Sequence, residues 1–172
     1  MEDAVRASGQ THVWGDEPSE LAVDYTLMGL VDVTLAVTAW RAGGPSSGLL
    51  IAGTLAFQEL IIRATKAYIA RTRPEGAYSI TGAYPSGHVA NVGLSILLFL
   101  LVVLPLLRDK GRLRARLPAE PAFAALLIAS FALYRVFAGE HWFTDVVGGA
   151  ALALASALSA QEIHARMRTA KL

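Results

Sequence analysis

Five apolar stretches, each close to the roughly 20 residues a helix needs to cross a bilayer, take up most of this 172-residue chain. They cover approximately 22–40, 48–70, 89–107, 121–138 and 143–160. The third contains SILLFLLVVLPLL and is the strongest; the first is the weakest, because Asp24 and Asp32 interrupt it. The last is rich in Ala and Gly, small residues that let membrane helices pack closely. A single stretch of this kind could be a buried helix of a soluble core. Five leave too little polar chain to cover such a core, with 54% of residues hydrophobic and only 17% charged. The sequence therefore predicts an all-α, polytopic transmembrane bundle of five spans. No cysteine is present, which excludes disulfides and thiolate metal sites. A net charge of +1 gives no reason to expect a nucleic-acid partner.

The distribution of charge orients the bundle. One side would carry Arg41, Arg108, Lys110, Arg112, Arg114, Arg116, Arg166, Arg168 and Lys171. The other has few basic residues outside the clusters discussed below, chiefly Arg6 and Arg71. The positive-inside rule makes the first side cytoplasmic. The N-terminal segment, with Glu2, Asp3, Asp16, Glu17 and Glu20, would then lie outside, and five spans would return the C-terminus inside. Three regions follow: an acidic extracytoplasmic segment 1–21, a transmembrane domain 22–160, and a basic cytoplasmic tail 161–172. The first 20 residues contain no apolar run of the kind a cleavable signal needs.

The predicted outer side collects the unusual residues. Lys66 and Arg73 occur in KAYIARTRP; seven apart, they would lie two turns apart on one helical face and could clamp a dianion. Basic residues at a helix end also arise by snorkelling towards headgroups. In PSGH at 85–88, Pro85 and Gly87 shape a turn, Ser86 is a candidate N-cap, and His88 falls in the first turn of the third helix. Backbone N–H groups there favour phosphate. In YRVFAGEHWFTD, Arg135 adds a cation, and His141 and Asp145 are four apart, so they share a face if a helix begins near Glu140. A carboxylate on one ring nitrogen fixes the tautomer and leaves the other free to attack. Each element alone also has an ordinary structural explanation as a cap, an interfacial residue or a surface pair.

Together the three elements resemble the signatures of the type 2 phosphatidic acid phosphatase superfamily, which also includes vanadium haloperoxidases. Those signatures are Lys with six residues before Arg-Pro, then Pro-Ser-Gly-His, then Ser-Arg with five residues before His and three before Asp. Ten fixed positions match in order, with Tyr134 in place of the usual Ser. The resemblance implies that His141 attacks phosphorus and forms a phosphohistidine, oriented by Asp145. It implies that His88 protonates the leaving alkoxide and then activates water. Lys66, Arg73, Ser86, the Gly87 amide and Arg135 would hold the phosphate oxygens. No metal and no other cofactor is implied. The expected protein is an integral-membrane phosphatase of lipid phosphates or pyrophosphates, with its site on the outer face, compatible with a bacterial cell membrane.

Relatives with lipid substrates commonly have six spans, and the first of them has no counterpart here. Two other functions fit the same chain: a catalytically silent lipid-binding membrane protein, and a vanadate-dependent haloperoxidase. Retention of His88, His141 and Asp145 argues against the first, and five spans argue against the second. Glu59 and Arg63, four apart within an apolar stretch, are expected to serve helix packing rather than catalysis.

Overall fold

Proline and glycine set most of the helix boundaries in this chain. The computed structural model describes residues 18–75, 77, 82–111 and 119–170, with side chains from residue 26 onward. The acidic residues of segment 1–17, together with Arg112, Arg114, Arg116 and Lys171, lie outside the described residues. Helix α1 spans Pro18–Gly43 and α2 spans Pro45–Ile69. Between them Gly44 adopts φ 87°, the left-handed region glycine enters without a Cβ penalty. Pro45 then opens α2 at a position whose N–H would have no intrahelical acceptor.

Helix α3 runs Gly87–Asp109, α4 runs Glu120–Phe137, and α5 runs Phe143–Thr169. Within α3, Phe99–Val103 widens into a π turn, in which the Leu104 N–H bonds to Phe99 O. Pro105 follows directly, and its missing N–H explains why the hydrogen-bond ladder shifts register there. Pro121 opens α4 as Pro45 opens α2. Among the described residues every regular element is helical.

Small residues line the most extensive helix contact. Helix α5 packs most extensively on α3, bringing Gly149, Ala153, Ala157 and Ala160 against a face that includes Val89, Ala90, Gly93 and Leu94. At Gly93, an added Cβ would stand 3.1 Å from that of Ala153, so the two helices approach nearly backbone to backbone. Large apolar side chains point outward instead: Leu27, Leu60, Phe123, Leu126 and Leu154 are all exposed. An outward apolar surface is stable only where the solvent is lipid. Helices α2, α3, α4 and α5 are each long and apolar enough to cross a membrane. The chain is an integral membrane protein with the predicted all-helical transmembrane architecture. The first and weakest of the five expected spans does form a helix, the 26-residue α1, but it is not among the four helices apolar enough to count as a span.

Polar side chains inside the bundle tie helices together. Ser95 Oγ donates to Asp32 Oδ1 at 2.8 Å, joining α3 to α1. Glu59 accepts from Arg63 Nε at 2.7 Å and from Asn91 Nδ2 at 3.1 Å, so the Glu59–Arg63 pair also holds α2 to α3. At the end of the bundle carrying Arg41, Arg108, Lys110, Arg166 and Arg168, His164 is buried against Ser47 at 3.3 Å, and Arg168 pairs with Asp109 at 2.8 Å. Helix α5 continues nine residues beyond the expected end of its span at Ala160. QEIHARMR is built of good helix formers, and Glu162 pairs with Arg166 one turn on at 2.8 Å.

Candidate active site

The helix ends opposite that basic end converge on His141. Helix α2 stops at Ile69 because Ala70 turns into the left-handed region (φ 46°) and returns its N–H to Lys66 O at 3.0 Å. Arg71 and Arg73 therefore sit on a non-helical segment, not on the helical face the Lys66–Arg73 spacing suggested. Lys66 and Arg73 are brought together by the chain folding back over the helix end, while Lys66 Nζ donates to Gly82 O at 2.6 Å. The Ala83 N–H bonds to Arg71 O at 2.9 Å, which holds the residues before α3 beside that segment.

Ser86 stands at the N-cap of α3, as its sequence position suggested, yet its hydroxyl makes no capping bond. Its backbone N–H is instead held by Asp145 O at 2.9 Å, which ties the start of α3 to the first turn of α5. Gly149 permits that approach: a Cβ there would meet Ser86 O at 2.6 Å. Gly149 is thus needed for this approach, and a Cβ at Gly148 would meet the Tyr84 ring at 2.5 Å; the sequence showed both only as small residues for helix packing.

Asp145 is the third residue of α5, and its Oδ2 accepts the Trp142 N–H at 2.9 Å, as a carboxylate at that position does in a capping box. The same oxygen lies 3.5 Å from His141 Nδ1, and both side chains are essentially fully buried. Burial, reinforced by the charges of Arg73, Arg135 and Lys66 and by His88, pushes the His141 pKa down to about 3. His141 is therefore neutral at physiological pH, the state a nucleophile requires.

Ser86 Oγ and Arg135 Nε are buried and have no hydrogen-bond partner among the described residues. Arg73 Nη1 bonds the Glu140 carbonyl at 2.9 Å and carboxylate at 3.1 Å, and Arg135 Nη2 reaches the same carboxylate at 4.0 Å. Glu140 thus lies between two of the three predicted phosphate-binding cations. Tyr134, the departure from the family pattern, is exposed and packs on Phe131, with ring centroids 6.3 Å apart. Its ring lies away from the buried cluster.

The structure thus gathers His141, Asp145, Lys66, Arg73, Ser86 and Arg135 at one end of the bundle, with Gly87 and His88 in the first turn of α3. Sequence reading missed Arg71, whose Nη1 donates to Asp145 Oδ1 at 2.8 Å and to Thr144 Oγ1 at 2.5 Å. Its spacing from Asp145, 74 residues, carried no local signal. Among the described residues no three His, Asp or Glu side chains group as metal ligands.

A bundle of five helices, four of them long and apolar enough to cross a membrane, holds a histidine–carboxylate pair among cations at one end, which is the architecture of a membrane-embedded protein with a site suited to an anionic ligand. Residues 47–168 match the family model of the PAP2 superfamily, and the chain belongs to that family. The fold is similar to the crystal structure of a transmembrane PAP2-type phosphatidylglycerolphosphate phosphatase from Bacillus subtilis, with a TM-score of 0.64 and 22% sequence identity over 88% of this chain and 79% of that one. Comparison with curated proteins found no match.

Proposed function

We propose that this protein is a metal-independent lipid phosphatase that works through a phosphohistidine on His141. The observation carrying this reading is the pair of buried donors, Ser86 Oγ and Arg135 Nε, left without hydrogen-bond partners among the described residues beside a neutral buried histidine. Buried donors are normally satisfied, so a site with two open ones is built for a ligand that supplies acceptors. Phosphate supplies them, together with the negative charge that Lys66, Arg73 and Arg135 would neutralise.

In the first step His141 Nε2 attacks phosphorus while the bond to the lipid oxygen breaks. Asp145 stabilises the imidazolium through Nδ1, and His88 delivers a proton to the leaving alkoxide. In the second step His88 takes a proton from water, whose oxygen attacks phosphorus as the P–N bond breaks. Inorganic phosphate leaves and His141 is restored. Lys66, Arg73, Arg135, Ser86 and the Gly87 amide hold the equatorial oxygens throughout.

A lipid substrate is supported by a groove of about 920 Å³ between α3, α4 and α5. Leu97, Ala129, Leu133, Phe143, Val147 and Leu154 line it, and its upper rim at Phe143 is two residues from His141. Hydrocarbon fits there while the headgroup stays at the cations. If the Arg41–Arg108–Arg166 end is cytoplasmic, as the positive-inside rule requires, the site faces the outer side. The activity of the Bacillus protein makes phosphatidylglycerol phosphate a sensible first substrate, beside phosphatidic acid and polyprenyl phosphates.

The test is phosphate release from that panel in detergent with EDTA present, comparing wild type with His141→Ala and His88→Ala. Release that survives EDTA and is lost in His141→Ala is expected. Release that requires added metal, or that persists in His141→Ala, would overturn the mechanism. Binding without release from any substrate would favour a silent lipid-binding role.

A further inference from the structure

Arg71 has no place in the phosphate-binding set, yet it makes the closest cationic contact to the buried carboxylate of the site. Its Nη1 donates to Asp145 Oδ1 at 2.8 Å and to Thr144 Oγ1 at 2.5 Å, and its guanidinium lies 5.9 Å from the centroid of the Trp142 ring. Trp142 answers across the same gap, with Nε1 donating to Thr72 O at 3.0 Å. The segment after α2 and the first turn of α5 are therefore clasped in both directions. Asp145 itself is fully buried. Its two oxygens are divided: Oδ1 faces Arg71, whereas Oδ2 takes the Trp142 N–H and faces His141 Nδ1.

We propose that Arg71 is a positioning residue for phosphoryl transfer, acting only through Asp145. This rests on the reading of His141 as nucleophile. A fully buried carboxylate is costly unless a cation and further hydrogen bonds compensate it. Arg71 is the cation that does so, and by holding Oδ1 it fixes the plane in which Oδ2 meets Nδ1. Rotation about the Asp145 side chain would take Oδ2 out of line with the imidazole, so the tautomer with Nε2 free to attack would no longer be enforced. The guanidinium is committed to Asp145, Thr144 and Trp142, leaving contact with substrate phosphate to Lys66, Arg73 and Arg135. Its reach comes from the break at Ala70, which turns the chain off the α2 axis and towards α5.

The experiment compares the full chain with Arg71→Gln, Arg71→Lys and Arg73→Ala, in detergent, on a short-chain lipid phosphate, with vanadate as the anion probe. Arg71→Gln is expected to lower kcat by about 10–100-fold, the range seen when an outer-shell partner is removed, with KM and the vanadate inhibition constant nearly unchanged. Arg71→Lys is expected to restore part of kcat, since an ammonium supplies charge without the planar fork. Arg73→Ala should weaken vanadate binding. In the double variant Arg71→Gln/Asp145→Asn, kcat should equal that of Asp145→Asn alone, because the partner through which Arg71 acts has already been neutralised. This comparison also serves if Arg71→Gln by itself folds poorly, since the double variant buries no unpaired carboxylate. Unchanged kcat in Arg71→Gln, a loss of vanadate affinity matching Arg73→Ala, or a further kcat loss in the double variant would each overturn the proposal. Wild-type turnover in the same assay tests the phosphatase reading separately.

Discussion

His141 Nδ1 faces Asp145 Oδ2 at 3.5 Å, and that same oxygen accepts the backbone N–H of Trp142 at 2.9 Å. The carboxylate facing His141 is thus also the one that caps the start of helix α5. Asp145→Asn keeps the shape but offers an amide to Nδ1 in place of an acceptor of full charge. We expect kcat to fall by roughly 10²–10⁴-fold, as for the carboxylate of other histidine pairs. Steady-state phosphate release checks this, and turnover within about twofold of wild type would remove Asp145 from the mechanism.

On the proposed function, Glu140 would compete with substrate for the cations. Its carboxylate takes Arg73 at 3.1 Å and approaches Arg135 at 4.0 Å, so a phosphate bound there would have to draw both arginines away from an internal anion. Glu140→Gln should tighten inhibition by phosphate or vanadate by about tenfold, the worth of one charge-assisted hydrogen bond. Weaker inhibition would instead mean that Glu140 serves to hold the arginines in place for substrate.

The protonation state of His141 gives a pH prediction. Its pKa is pushed down to about 3, first by burial and then by the neighbouring cations. Imidazole nitrogen shifts of the substrate-free protein should show His141 neutral from pH 8 down to pH 5. Removing a cation, as in Arg73→Ala or Arg135→Ala, relieves the repulsion and should raise the value towards the ordinary range. The linked stability follows the same sign: protons bind the unfolded chain more readily, so the contribution of a neutral His141 is complete above about pH 6.5 and declines as pH falls towards 3. A His141 signal titrating near 6.5 in the wild type would contradict this.

Gly149 and Gly53 should respond oppositely to alanine. A Cβ at Gly149 would lie 2.6 Å from Ser86 O, so Gly149→Ala must push the PSGH turn away from α5. A stability loss of about 1–3 kcal/mol is expected, with activity falling further. Gly53, in mid-α2, has nothing within 4 Å of its Cβ position. There Gly53→Ala should be neutral or stabilising by up to about 1 kcal/mol. Thermal denaturation of both variants in one detergent makes the comparison.

Much of the architecture was legible because membrane spans are local. Each apolar stretch declares itself within about 20 residues, and all five stretches form helices whose ends lie near the expected ones, the extension of α5 beyond Ala160 excepted. PSGH was legible as a helix start for the same reason. Lys66 and Arg73 were read as partners, but on the wrong geometry: the helix ends at Ile69, and no residue there announces it, since Ala70 is an unusual choice for a left-handed position.

The sequence alone determined that the chain is an all-helical membrane bundle, where its apolar stretches lie, and the residue types available for chemistry, though it counted five spans where four helices among the described residues are apolar enough to cross. Each depends on hydropathy, net charge or spacing within one stretch. Only the tertiary structure decided that Arg71 belongs to Asp145, that Glu140 lies between Arg73 and Arg135, and that Tyr134 packs away from the buried cluster. It also decided that Gly149 must lack a side chain. These relationships join segments up to 74 residues apart. Their energies depend on burial and on distances of a few ångströms, neither of which exists until the helices have packed.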